Sequence, residues 1–311
     1  MKATLLVTGT MAAALAVPVG AGEADDPLMR LAGTRAYRPP SATVQTLPSV
    51  EVGRGGDSNI VATVFLPKAA SEKPRPAIVF IHGGGWNSGQ SYNTFGAWLA
   101  ERGYVVASIG YRLSTVAKWP AQIEDCKLGV RWLRANAAKY GVNPDRIGTF
   151  GTSAGAHLVA CLGTMQDLPE LEGKGGYEGV SSRVQAVAAF CPPTLLPGRW
   201  GFTGRAEMLL GATQEEKPEL WKQASPALAV KPGGPPFFIA HGQNDAVVPI
   251  AQAERLVSAL EEARNPVEFV PILNAGHDFF LNATTPDSTM EPNHEVIMAR
   301  LLSFFDKCLK N

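Results

Sequence analysis

Ser153 stands in Gly151-Thr152-Ser153-Ala154-Gly155, directly after the apolar run Arg146-Ile147-Gly148-Thr149-Phe150. A serine hydroxyl is a weak nucleophile, and this spacing supplies part of what it lacks. G-x-S-x-G describes a sharp strand-to-helix turn that strains the serine backbone and aims Oγ into a cleft. The two glycines are expected because a Cβ at either position would collide with the neighbouring strand and helix. Residues 154–162 carry a helix-like pattern, which places the Ala154 amide at a helix N-terminus.

Acyl transfer passes through a tetrahedral oxyanion, which needs preorganised N–H donors about 3 Å from where the charge forms. His82-Gly83-Gly84-Gly85-Trp86 follows a second strand-like run at 77–81, about 70 residues before the serine. A glycine run alone is a tight turn. In this order before a nucleophile turn it is a donor loop, and Gly84, Gly85 and Ala154 are the expected oxyanion donors. His82 is expected to brace that loop.

The serine also needs a base and an orienting acid. Of the five histidines, His277 lies late in the chain, in a loop after the strand-like run 267–273, where the order serine, acid, histidine requires it. His157 rides the helix after the serine and packs or lines the site. His241 precedes a glycine at a strand end, which a turn explains, and His294 belongs to a C-terminal helix and faces solvent. Asp245, in the loop 241–249, is the expected acid; Asp278 is the rival, but adjacent side chains on one backbone seldom face each other.

These segments, with Tyr111-Arg112-Leu113 and Pro120-Ala121-Gln122-Ile123-Glu124-Asp125, resemble an α/β-hydrolase. More narrowly, they resemble bacterial esterases related to hormone-sensitive lipase, a group that includes feruloyl and acetyl-xylan esterases. The resemblance spans roughly residues 45–310. It implies carboxylic-ester hydrolysis through an acyl-enzyme, with Ser153, Asp245 and His277 matching the family triad. The chain departs from the pattern at Thr152, where the family usually has Asp, and at Ala156, where it commonly has Gly. It departs again at Pro193-Thr194-Leu195-Leu196, where the esterase group often reads Pro-Thr-Asp-Leu.

Composition agrees with this reading. Lys+Arg and Asp+Glu each total 28 in 311 residues, so no basic field recruits nucleic acid and no acidic field gathers cations. There is no phosphate loop, no dinucleotide fingerprint and no zinc spacing of Cys and His, so neither cofactor nor metal is expected. Residues 1–21 carry Met1-Lys2, an apolar stretch and small residues at Val19 and Ala21, the pattern of a cleaved export signal. The competing reading is a membrane anchor, which a short, threonine-containing and lightly charged stretch disfavours. A periplasmic or secreted protein is therefore expected, with no stable membrane insertion after cleavage. Cys126, Cys161, Cys191 and Cys308 show no disulfide framework and are expected as free thiols; the sequon Asn282-Ala283-Thr284 is a chance match.

The remaining pattern must position these groups. Strands are expected at 60–66, 77–81, 104–109, 146–150, 184–190, 236–240 and 267–273, with helices at 94–102, 122–140, 154–162, 251–263 and 295–307. Apolar strands alternating with amphipathic helices predict an α/β-hydrolase fold, a mostly parallel sheet covered on both faces, with ligand beyond the strands' carboxyl ends. After an extension at 22–44, one catalytic domain is expected over 45–311, with 165–235 folding largely over the cleft as a small cap. Trp200, Phe202 and Trp221 in that segment either line a pocket or pack. A small cap leaves an open cleft, suited to a small-molecule or carbohydrate-linked ester. The alternatives are an amide hydrolase, either an aryl-formamidase or a peptidase, and a ligand-binding homologue without catalysis.

Overall fold

Period-two burial organises the centre of the molecule. In the computed structural model, which describes residues 41–89, 91, 94–281 and 289–310, successive residues of one strand enter opposite cores. Ala77, Val79 and Ile81 face one apolar cluster, whereas Ile78 and Phe80 face the other. A strand buried on both faces must be apolar throughout, which is why the central runs show no polar alternation. The expected signal sequence, the extension up to residue 40 and the sequon at 282–284 lie outside the described residues.

Eight strands among the described residues form one sheet: β1 (Val44–Gly55), β2 (Ser58–Pro67), β3 (Arg75–Ile81), β4 (Val105–Ile109), β5 (Val142–Thr152), β6 (Ala186–Phe190), β7 (Phe237–Gly242) and β8 (Val267–Ile272). Their spatial order is β1-β2-β4-β3-β5-β6-β7-β8. The β1/β2 and β2/β4 pairs are antiparallel and the others parallel. Helices α2 (Ala121–Ala135), α4 (Ala154–Thr164) and α7 (Ala251–Glu262) cover one face, through Ile123, Leu158 and Leu256. Helices α1 (Thr94–Ala100) and α8 (His294–Leu309) cover the other, through Leu99, Ile297, Leu301 and Phe305. This is the mostly parallel, doubly covered sheet that the sequence predicts.

Three expectations are corrected. The first strand, β1, was not anticipated, and it begins at Val44, inside the stretch assigned to the extension. Pro48 and Gly53 disguise it, yet both are tolerated because β1 is an edge strand with bulges between Leu47 and Val50 and between Glu51 and Gly53. The helix expected at 122–140 ends at Ala135 and restarts as α3 (Ala137–Tyr140). The Asn136 side chain donates to the Trp132 carbonyl at 2.8 Å, competing with the helical ladder at the break. His294, expected to face solvent, is half-buried in the first turn of α8.

The segment 165–235 has two parts. Its first part is tied to α2: Glu172 meets Lys127 Nζ at 2.9 Å and Arg131 Nη1 at 2.6 Å. Its second part carries α5 (Thr203–Leu210) and α6 (Pro218–Gln223) and reaches the glycine loop, where the Arg205 stem occupies the space a Cβ on Gly85 would need. Trp221 is fully buried, with its Nε1–H on the Ala212 carbonyl, and Phe202 packs edge-on against Trp86; both are packing residues.

Candidate active site

Residues Ile81 of β3 and Gly151 of β5 are paired in register, so the loops that follow these strands leave the sheet side by side. One loop carries Gly83–Gly85 and the other Ser153. Ser153 has φ 53° and ψ −120°, a strained conformation for a residue with a Cβ. Its turn is closed by glycines for the expected reason. A Cβ on Gly151 would overlap the Gly155 carbonyl, and one on Gly155 would overlap the carbonyls of Ile81 and His82.

The three residues singled out as nucleophile, base and acid meet in space. His277 Nε2 lies 2.9 Å from Ser153 Oγ, and His277 Nδ1 lies 2.7 Å from Asp245 Oδ2. Asp278 is half-buried, and it is Asp245 that lies against the imidazole. The loop after β7 delivers Asp245, and the loop after β8 delivers His277; all three residues therefore lie past carboxyl ends of parallel strands.

Asp245 is held ionised from several sides. Burial opposes its charge, but hydrogen bonds from His241, His277 and the Val248 amide hold the carboxyl well below the usual carboxylate range. Its Oδ1 accepts the amides of Val247 at 2.9 Å and Val248 at 2.8 Å. An anion so placed can orient the Nδ1–H of His277 and leave Nε2 to receive the serine proton.

The glycine loop is braced by buried aromatic and imidazole groups. Gly84, Gly85 and Trp86 take positive φ in succession, at 107°, 57° and 61°. Trp86 is held there because its Nε1–H donates to His157 Nδ1 at 3.2 Å, while His157 Nε2–H donates to the Ala224 carbonyl at 2.8 Å. That chain links the loop, α4 and the insertion through one neutral histidine; burial lowers the His157 pKa to about 4. His82 donates from Nδ1 to the Gly83 carbonyl at 2.7 Å and stacks on Tyr111, and burial lowers its pKa to about 4 as well. Among the described residues, the amides of Gly84, Gly85 and Ala154 donate to no protein acceptor.

Several positioning groups escaped the sequence. Gln252 of α7 accepts the amides of Thr194 at 2.7 Å and Leu195 at 2.8 Å, and so pins the loop where the sequence departs from the esterase pattern. Arg112 clamps Asp125, with Nε on Oδ2 at 2.8 Å and Nη2 on Oδ1 at 2.9 Å, which accounts for two of the quoted motifs as one ion pair. No local signal announced the Gln252 contact, since its partners lie 57 and 58 residues away. Cys191, His241 and Asp245 bring donor atoms within 4.8 Å of one another. Each is engaged in hydrogen bonds, Cys191 Sγ with the His277 carbonyl at 3.4 Å.

The comparisons agree with this architecture. The chain is 32% identical over 251 residues to Esterase LipQ of Mycobacterium tuberculosis, an alignment covering 76% of this chain and 58% of LipQ. It thus spans a little over half the length of that curated relative. A solved carbohydrate esterase from gut microbiota, in truncated form, superposes with a TM-score of 0.76 at 27% identity, covering 88% of this chain and 100% of that one. The Thermogutta terrifontis esterase Est2 superposes at 0.69 with 28% identity, covering 87% and 94%. The BD-FAE family model matches residues 63–260. With that match over most of the chain, and the sheet and loop order described above, the protein belongs to the BD-FAE family of α/β-hydrolases.

Proposed function

We propose that this protein is a serine carboxylesterase that hydrolyses short-chain, aryl or sugar esters through an acyl-enzyme. The observation that carries the reading is the unbroken relay Ser153 Oγ to His277 Nε2 at 2.9 Å and His277 Nδ1 to Asp245 at 2.7 Å. The uncommitted amides of Gly84, Gly85 and Ala154 flank the serine. Ser153 Oγ attacks the ester carbonyl carbon as His277 Nε2 takes its proton. The carbonyl oxygen becomes an oxyanion received by the three amides, and Asp245 steadies the imidazolium. Collapse breaks the carbon–alkoxide bond, His277 returns its proton to the leaving alcohol, and an acyl-serine remains. Water then repeats the sequence with His277 as base, which releases the acid and restores the serine.

The sugar-ester side of the reading draws support from similar structures. Besides the gut carbohydrate esterase, an acetyl ester-xyloside bifunctional hydrolase of Caldicellulosiruptor lactoaceticus superposes at a TM-score of 0.68 with 26% identity. Export after cleavage near Ala21 forms part of the same proposal, because polymeric sugar esters lie outside the cell; the N-terminal sequence of the mature protein tests it. The activity is tested with acetylated xylan, methyl ferulate and p-nitrophenyl esters, beside N-formylkynurenine and a peptide anilide. Ester turnover well above amide turnover is expected. Preferential hydrolysis of the formamide or the anilide would replace the esterase reading by an amidase.

A further inference from the structure

Asp245 receives a second imidazole, and the mechanism above makes no use of it. His241, the penultimate residue of β7, is fully buried and places Nε2 3.2 Å from Asp245 Oδ2, the same oxygen that His277 Nδ1 approaches at 2.7 Å. The same Nε2 lies 2.7 Å from the Val248 carbonyl. A carbonyl can only accept, so Nε2 carries a proton. The other ring nitrogen, Nδ1, is buried without a hydrogen-bond partner among the described residues. An orphaned buried polar atom is costly, and a turn needs no histidine here: Gly242, the next residue, already provides the close approach to Ala275 and Gly276. What the imidazole adds is one N–H that is bonded to the loop carbonyl at 2.7 Å and lies 3.2 Å from the carboxylate.

We propose that His241 is a positioning residue whose Nε2–H fixes Asp245 and limits the electron density available on the oxygen facing His277. The inference rests on the triad reading. Two amides hold Oδ1, and two imidazole nitrogens lie within 3.2 Å of Oδ2. The other titratable groups at this place are His277, Cys191 and Asp278; burial, with the Asp245 charge, raises the Cys191 thiol pKa well above its ordinary value, so it stays protonated.

The sign of the effect separates this role from simple loop bracing. Removing the His241 donor makes Oδ2 a stronger base and increases its support for a protonated His277. The acid limb of kcat/KM then moves to higher pH. If His241 only shapes the loop, its loss lets Asp245 drift from His277, and the limb moves to lower pH or KM rises.

The test uses the full-length enzyme and p-nitrophenyl acetate. His241→Phe keeps the ring volume without the donor, and His241→Gln restores an N–H near the Nε2 position. For His241→Phe we expect the loss of fixing at Asp245 to outweigh the gain in basicity, so that kcat falls on the order of 10-fold with KM within about threefold. The acid limb should rise by on the order of half a pH unit. His241→Gln should recover most of kcat and return the limb. Should His241→Phe not fold, His241→Asn, whose amide stops at the Nδ1 position, carries the same expectation. An unchanged kcat and limb, a limb displaced to lower pH, or equal losses in the donor and non-donor variants would overturn the inference. Asp245→Asn is measured beside them: if it too is without effect, the triad reading fails; if it is crippled while the His241 variants are normal, only the role of His241 fails.

Discussion

At the scale of single residues, the two candidate acids give the sharpest contrast. Asp245 is buried and meets His277 Nδ1 at 2.7 Å, whereas its rival Asp278 is half-buried. Asp245→Asn should preserve the fold, misplace the proton on His277, and lower kcat by about 10⁴. Asp278→Asn should remain within about tenfold of the parent. Steady-state rates of the two purified variants decide the matter, and a larger loss at Asp278 would reverse the assignment. The meeting of Ser153, Asp245 and His277 was legible in the chain because loop order after successive strands dictates it. The parts played by His241 and Gln252 were not. Their partners are set by tertiary approach, and a histidine before a glycine or a glutamine on a helix carries no local mark of what it will touch.

At the scale of elements, the central strands could be read because burial on both faces forces continuous apolar runs. The edge strand β1 could not, since Pro48 and Gly53 are turn signals wherever the sheet does not absorb them. In the segment 165–235 the sequence carries no mark of the tie that Glu172 makes to Lys127 and Arg131 on α2. Lys127 is fully buried, so Glu172→Ala strands its charge and should lower unfolding stability by about 3 kcal/mol with little change in KM. Urea titration with parallel kinetics reads both quantities. The second part of the insertion approaches the glycine loop through Arg205, and the segment 165–235 is rich in Gly, Pro and charge, poor material for a long apolar tunnel. We therefore expect kcat/KM to peak between acetyl and butyryl esters and to decline beyond about eight carbons, each methylene contact contributing at most ~0.8 kcal/mol. Rates that climb steadily to palmitate, or jump above the micelle threshold, would indicate a lipase.

For the whole molecule, two buried neutral histidines set an acid limit on stability. Burial lowers His82 and His157 from 6.5 to about 4. In the unfolded chain both take up protons near the ordinary value, so below it the unfolded state binds more protons than the folded state. Stability should therefore fall on acidification from pH 6.5 to 4, by about 1.4 kcal/mol per pH unit for each histidine, and this contribution should level off below the folded value. Asp245, whose pKa is depressed, adds a loss only at still lower pH. Denaturation midpoints at pH 7, 6, 5 and 4 measure the slope, and His157→Gln should remove about half of it. A flat profile from pH 7 to 5 would contradict the buried-neutral assignment.

The central claim is that Ser153 is the nucleophile that His277 and Asp245 activate. Intact-mass and peptide mapping after treatment with a fluorophosphonate tests it most directly. One phosphonyl adduct per chain is expected, located on Ser153, absent from Ser153→Ala, and formed far more slowly in His277→Ala. An adduct on another residue, or undiminished ester turnover by Ser153→Ala, would contradict it.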